Sequence, residues 1–171
     1  MNTYLIGYMG SGKSTVGKRL AHKLNSTHLD LDDFFEENYK ISVINFFRKY
    51  DEATFRKIES SMLKKTLDLH DHVISTGGGT PCFNKNMDLI KAHGFSVYIQ
   101  MHPHSLFTRL KHAKRLRPRT SFLNDDDLQK RIADDLLIRE KFYLQADFTV
   151  KGENIDIDAL AVEVRNKMSK G

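Results

Sequence analysis

Residues 7–15 read Gly7-Tyr8-Met9-Gly10-Ser11-Gly12-Lys13-Ser14-Thr15, which meets the pattern G-x-x-x-x-G-K-[ST] at every fixed position. A short apolar run, Tyr4-Leu5-Ile6, leads into it, and a stretch with Val16, Leu20 and Leu24 along one helical face leads out. Glycines let backbone amides turn inward around phosphate oxygens, where bulkier residues obstruct them. The N-terminal end of the following helix favours the same anion. Lys13 has the reach for the β- and γ-phosphates, and the Ser14 hydroxyl can complete a Mg²⁺ shell. Chance would place this pattern in under about one per cent of chains of this length. The loop therefore predicts nucleotide phosphate binding by Gly10, Ser11, Gly12, Lys13, Ser14 and Thr15.

Outward from the loop, short apolar runs alternate with helical stretches, the mark of an α/β chain with a parallel sheet. Strands are expected over 3–6, 28–31, 72–75, 95–101 and 148–150. Helices are expected over 14–24, most of 42–69, 84–93, 105–114, 125–143 and 157–168. The expected architecture has three layers, a five-stranded parallel sheet between helices. With 171 residues and no repeat or low-complexity linker, residues 1–171 read as one domain.

Composition narrows the function classes. Hydrophobic residues make up 40% and charged residues 29%, as in a water-soluble globular chain. No run approaches the roughly 20 apolar residues that cross a bilayer. A cleaved leader is not expected, because the first apolar run flows directly into the glycine loop. Cys82 is the one cysteine, which suits a cytoplasmic location and reads as an inert small side chain. The eight histidines form no zinc-site spacing, and His102-Pro103-His104 reads as a polar helix start. The net charge of +5 is compatible with nucleic acid or with small anions.

The loop alone does not separate kinases from GTPases or motor ATPases. A base-reading N-K-x-D segment is absent from the sequence. The second strand ends in Asp30-Leu31-Asp32-Asp33, and alternation along a strand would place Asp30 and Asp32 on one side. Two carboxylates there lie at the ligand-binding edge of a parallel sheet. One can meet a Mg²⁺ shell through water, and the other can accept a hydrogen bond from an attacking hydroxyl. Asp33 reads as the cap of the next helix.

With these elements the chain resembles the shikimate kinase family along nearly its whole length. The resemblance rests on the loop and its continuation Val16-Gly17-Lys18, the D-L-D of Asp30 and Asp32, and Phe55-Arg56-Lys57-Ile58-Glu59. It also rests on Gly77-Gly78-Gly79-Thr80-Pro81, on Arg117-Pro118, and on the run R-E-K-F-Y-L-Q-A-D over 139–147. It implies a P-loop NTPase fold with a mobile lid over about 112–124 and a substrate-binding helical segment over about 32–62. The reaction it implies is transfer of the γ-phosphoryl of MgATP to the 3-hydroxyl of shikimate, on the route to aromatic amino acids. Arg56 and Arg139 would then hold the substrate carboxylate, a task suited to guanidinium forks. Asp32 would face the reacting hydroxyl, as general base or as orienting acceptor. Asp30 would lie near Mg²⁺ through water, with Ser14 in its shell. Gly77, Gly78 and Gly79 would approach substrate and γ-phosphate closely.

Residues 109–119 read R-L-K-H-A-K-R-L-R-P-R, the densest positive cluster of the chain. Aromatic residues for base stacking are not interleaved there, so binding of nucleic acid is not expected. The resemblance makes this stretch the lid, with Arg117 stabilising charge on the transferring phosphoryl and Arg109 against the adenine. The chain departs from the family pattern at Arg119-Thr120, where many members carry two leucines, and at Lys141, where a proline is common. A nucleoside monophosphate kinase would be expected to carry D-G-[FY]-P-R where this chain has G-G-G-T-P, and a gluconate kinase would lack the D-L-D and F-R-x-x-E pair. The remaining alternative is a nucleotide-dependent nucleic-acid binder using the basic stretch, which salt-dependent binding without acceptor phosphorylation would mark. The partners expected are ATP, ADP and shikimate, with no membrane and a monomeric chain.

Overall fold

A computed structural model describes residues 1–113 and 118–169. The chain runs β1 (Asn2–Ile6), α1 (Lys13–Leu24), β2 (Thr27–Asp30), α2 (Leu31–Tyr39), α3 (Val43–Lys49), α4 (Glu52–Lys65), β3 (His72–Ser75), α5 (Asn86–His93), β4 (Gly94–Gln100), α6 (Pro103–Lys111), α7 (Asp125–Tyr143), β5 (Phe148–Lys151) and α8 (Ile157–Met168). The strands form one sheet in the order β2-β3-β1-β4-β5, and every pairing is parallel. β1 is buried along all five residues, as a central strand covered on both faces must be.

Side-chain alternation divides the core into two layers. Leu5, Val73, Val97 and Ile99 meet Val16, Leu20, Leu160 and Val164 of α1 and α8. Tyr4, Ile6, Ile74 and Tyr98 meet Met62, Ile90, Leu106 and Ile132 on the other side. A third, aromatic cluster joins Phe35, Phe46 and Phe55 across α2, α3 and α4. Phe35 stands edge-on to Phe46 and Phe55, each at 5.3 Å between centroids. Burying each ring contributes about 2 kcal/mol, and the cluster anchors the first two turns of α4, which carry Phe55 and Arg56.

The expected five-stranded parallel sheet is present, but one local reading needs correction. β2 stops at Asp30, and the chain turns directly into α2 at Leu31. Asp32 therefore sits in the first helical turn rather than alternating with Asp30 along a strand. The cap of α2 is Asp30, not Asp33. The Asp30 carboxylate accepts the backbone N–H groups of Asp32 at 3.0 Å and Asp33 at 3.5 Å, filling donors that helical bonding leaves open. The mainly helical region read over 42–69 is present as two helices, α3 and α4, with Asp51 capping the second through Thr54 at 2.7 Å.

Candidate active site

The site lies at the carboxyl edge of the sheet, where β1 has β3 on one side and β4 on the other, the place where open parallel sheets bind ligands. The phosphate loop links β1 to α1. Its bends are made by Gly7, Gly10 and Gly12, at φ 139°, 81° and 97°, a region that favours glycine. Gly12 caps α1 with no side chain of its own, so the first amides of that helix face the cavity. Lys13 is buried, and its ammonium donates to the carbonyls of Gly7 at 2.9 Å and Tyr8 at 2.8 Å.

Two adjoining cavities define the chemistry. The first, of about 300 Å³, is lined by Gly10, Gly12, Lys13, Ser14, Thr15 and Asp30. Ser14 donates from its hydroxyl to the Asp30 carboxylate, so two hard oxygen donors lie side by side. Such donors suit Mg²⁺, which keeps several waters and takes phosphate oxygens as its other ligands. Among the described residues, no group of three or more His, Cys, Asp and Glu side chains is placed to hold a metal alone. The second cavity is lined by Phe55, Arg56, Glu59, Gly79, Arg119 and Arg139. Met9, Asp32, Gly77 and Gly78 line both.

The arginines of the second cavity are held by carboxylates. Arg56 donates to Glu59 at 2.6 Å and to Glu52 at 3.0 Å, and lies 4.5 Å from the Phe83 ring centre. Glu59 also accepts the Thr80 hydroxyl at 2.6 Å. Arg139 lies 3.5 Å from Asp135 and 5.6 Å from the Tyr8 ring centre. One of its terminal nitrogens, Nη1, is buried with no hydrogen-bond partner among the described residues. Asp135 also accepts the Tyr8 hydroxyl at 2.9 Å. Burial, with Asp135 beside it, holds the Tyr8 phenol above its ordinary range.

The glycines after β3 matter for what a side chain would strike. A Cβ on Gly79 would lie 2.5 Å from Arg56, and on Gly77 2.7 Å from Glu59. On Gly78 it would meet the Met9 backbone nitrogen at 2.9 Å. The triple glycine thus lets the loop after β3 lie directly against both the phosphate loop and the side chains of Arg56 and Glu59.

The structure brings together most of the residues read from the sequence, with three qualifications. Ser11 is buried inside the loop beside Gly7 and does not line the phosphate cavity. Arg109 lies outside that cavity too, donating to the Ser11 carbonyl at 3.3 Å. Arg117 lies outside the described residues. Cys82 is partly buried and burial pushes its thiol up to about 11, which suits the inert reading. Sequence reasoning gave no role to Glu52, Asp135 and Arg119. Two of these carried a signal, since Glu52–Arg56 and Asp135–Arg139 are i, i+4 pairs on helices.

A phosphate loop at a sheet edge, opening onto a second cavity of arginines and two carboxylates, is the arrangement of a P-loop kinase acting on a small anionic acceptor. The shikimate kinase family model matches residues 9–169. A shikimate kinase of Bacteroides thetaiotaomicron is 40% identical over 153 residues, covering 90% of this chain and 87% of that protein. A crystal structure of shikimate kinase from Bacteroides thetaiotaomicron superposes with a TM-score of 0.90 at 36% identity, covering 99% and 98% of the two chains. The Acinetobacter baumannii shikimate kinase in complex with shikimate gives a TM-score of 0.86 at 28% identity, over 99% and 93%. The chain belongs to the shikimate kinase family, and its activity is that of an ATP-using shikimate phosphotransferase.

Proposed function

We propose that the γ-phosphoryl of MgATP passes to the 3-hydroxyl of shikimate at the junction of the two cavities. The observation that carries this reading is Asp32, one carboxylate lining both the phosphate cavity and the arginine cavity. An acceptor whose acid group sits on Arg56 and Arg139 presents a hydroxyl to Asp32 and the loop together. Such transfers are catalysed mainly by positioning and charge neutralisation. The loop amides and Lys13 neutralise the phosphates, and Lys13 leaves the carbonyls of Gly7 and Tyr8 to do so. Ser14 and, through water, Asp30 would hold Mg²⁺, which would supply charge neutralisation at the phosphates when bound. Asp32 orients the hydroxyl and accepts its proton as transfer proceeds. Arg117 keeps the role of stabilising the transferring phosphoryl that the resemblance gives it.

The shikimate-bound relative from Acinetobacter baumannii supports the acceptor assignment. The segments over about 32–62 and 112–124 act in this reading as acceptor-binding region and lid of one domain. In this reading the protein works as a cytoplasmic monomer. No helix among the described residues is long and apolar enough to cross a membrane. The test is ADP release with ATP, Mg²⁺ and, separately, shikimate, gluconate and AMP. Turnover with shikimate alone is the expected result, and turnover with gluconate or AMP in its place overturns the acceptor assignment.

A further inference from the structure

Arg119 stands where the family pattern carries a leucine, and its surroundings give it a task. Its Nη1 donates to Glu52 at 2.9 Å and its Nη2 to Asp135 at 3.1 Å. Those same carboxylates pair with Arg56 and Arg139. The result is one unbroken chain, Arg56–Glu52–Arg119–Asp135–Arg139, running around the acceptor cavity. Arg119 lines that cavity, and its Nε is buried with no hydrogen-bond partner among the described residues, as is Nη1 of Arg139. The segment that follows it is anchored at two points. Thr120 is buried and donates to the Met9 sulfur at 3.7 Å, and Arg48 lies 5.4 Å from the Phe122 ring centre.

Charge decides what this does. Asp32, Glu52, Glu59 and Asp135 surround or underlie a cavity whose other guanidinium groups, among the described residues, are those of Arg56 and Arg139. Counting these described side chains, two guanidinium groups against four carboxylates leave an excess of negative charge toward an incoming carboxylate. A third guanidinium removes much of that repulsion, and its unpaired N–H provides a donor where burial makes an unsatisfied one costly.

We propose that Arg119 is a third acid-binding arginine of the acceptor pocket, adding its charge and its Nε–H to the carboxylate site of Arg56 and Arg139. This rests on the acceptor assignment made above. Arg119 thereby also couples acid binding to the position of the segment that follows residue 117.

The test compares wild type with Arg119→Met and Arg119→Lys, each first shown to be folded by thermal melting. Steady-state kinetics are run with shikimate and with its neutral carboxamide. Arg119→Met is expected to raise KM for shikimate about tenfold, the value of one charge-assisted hydrogen bond. KM for ATP should stay within about twofold, and the carboxamide should show no such penalty. Arg119→Lys, which keeps charge without the planar fork, should recover part of the loss. An unchanged KM for shikimate overturns the proposal. So does an equal rise for acid and carboxamide, which would mark a packing role for the segment. Failure of the wild type to phosphorylate shikimate removes the acceptor assignment, and the inference with it.

Discussion

The two halves of this site are built from different material. The nucleotide half is mostly backbone, with three glycines at positive φ, a helix capped by Gly12, and Lys13 resting on loop carbonyls. The acceptor half is mostly side-chain charge, with guanidinium groups held by Glu52, Glu59 and Asp135. A backbone cradle is fixed by local sequence and tolerates change outside the motif. A charge network is assembled from distant helices, so losing one member leaves its partners buried and unpaired. The first half should therefore lose rate when altered, and the second both affinity and stability.

The sharpest test of that contrast is Lys13→Met. Removing the Lys13 ammonium should lower kcat about 10³-fold, as loss of preorganised charge at a developing anion does. The amides of the loop remain, so the dissociation constant for ADP, measured by calorimetry, should weaken far less than kcat falls. A parallel collapse of both would show that the loop depends on its lysine for shape. At the junction, Asp32→Asn should cut turnover about 10²-fold or more with little change in ATP binding. Near-normal turnover would remove Asp32 from the reaction.

On the acceptor side, Arg56→Ala should raise KM for shikimate about 10²-fold, since two charge-assisted bonds are lost. It should also destabilise the fold by about 3–5 kcal/mol, because Glu59 is only 4% exposed and loses its counter-charge. Chemical denaturation of the two variants side by side tests the comparison directly, with Arg56→Ala less stable than Lys13→Met. Gly79→Ala is a milder form of the same injury. Its Cβ would fall 2.5 Å from the Arg56 guanidinium, which must move. KM for shikimate should rise about tenfold for the loss of one aligned hydrogen bond, while KM for ATP holds.

The same contrast explains what could be read from the sequence. The phosphate loop is contiguous, and each fixed position of its pattern has a reason to be that residue, so it was legible alone. The parallel sheet was legible because short apolar runs and amphipathic helices alternate. Asp30 and Asp32 were legible as a pair but not as a geometry. Extending β2 through Leu31 was plausible by alternation, yet the Asp30 carboxylate capping two amides begins the helix there. Arg56 and Arg139 are 83 positions apart in a chain whose helices carry many solvated arginines, and resemblance alone singled them out. Arg119 was visible only as a departure from a pattern. Its role depends on Glu52 and Asp135 meeting from α4 and α7, a contact that no local spacing encodes.

The smallest expected effect lies beside the nucleotide half, at His28. Its ring bonds the Ser75 hydroxyl at 2.9 Å and lies so close to α1 that a Cβ on Gly17 would be 2.5 Å away. Burial lowers its pKa below the ordinary value, against the opposing pull of Asp30. The folded chain therefore favours neutral imidazole more than the unfolded chain does. Below pH about 6.5 the unfolded state binds more protons, so this contribution is complete above that pH and declines as pH falls. Thermal melts at pH 7.5 and 5.5 should show a larger loss for wild type than for His28→Gln, which cannot titrate. An equal loss in both proteins would place the acid sensitivity elsewhere. A lost midpoint with unchanged ADP affinity at pH 7.5 would show that His28 serves the packing of α1 on β2 rather than the phosphate loop itself.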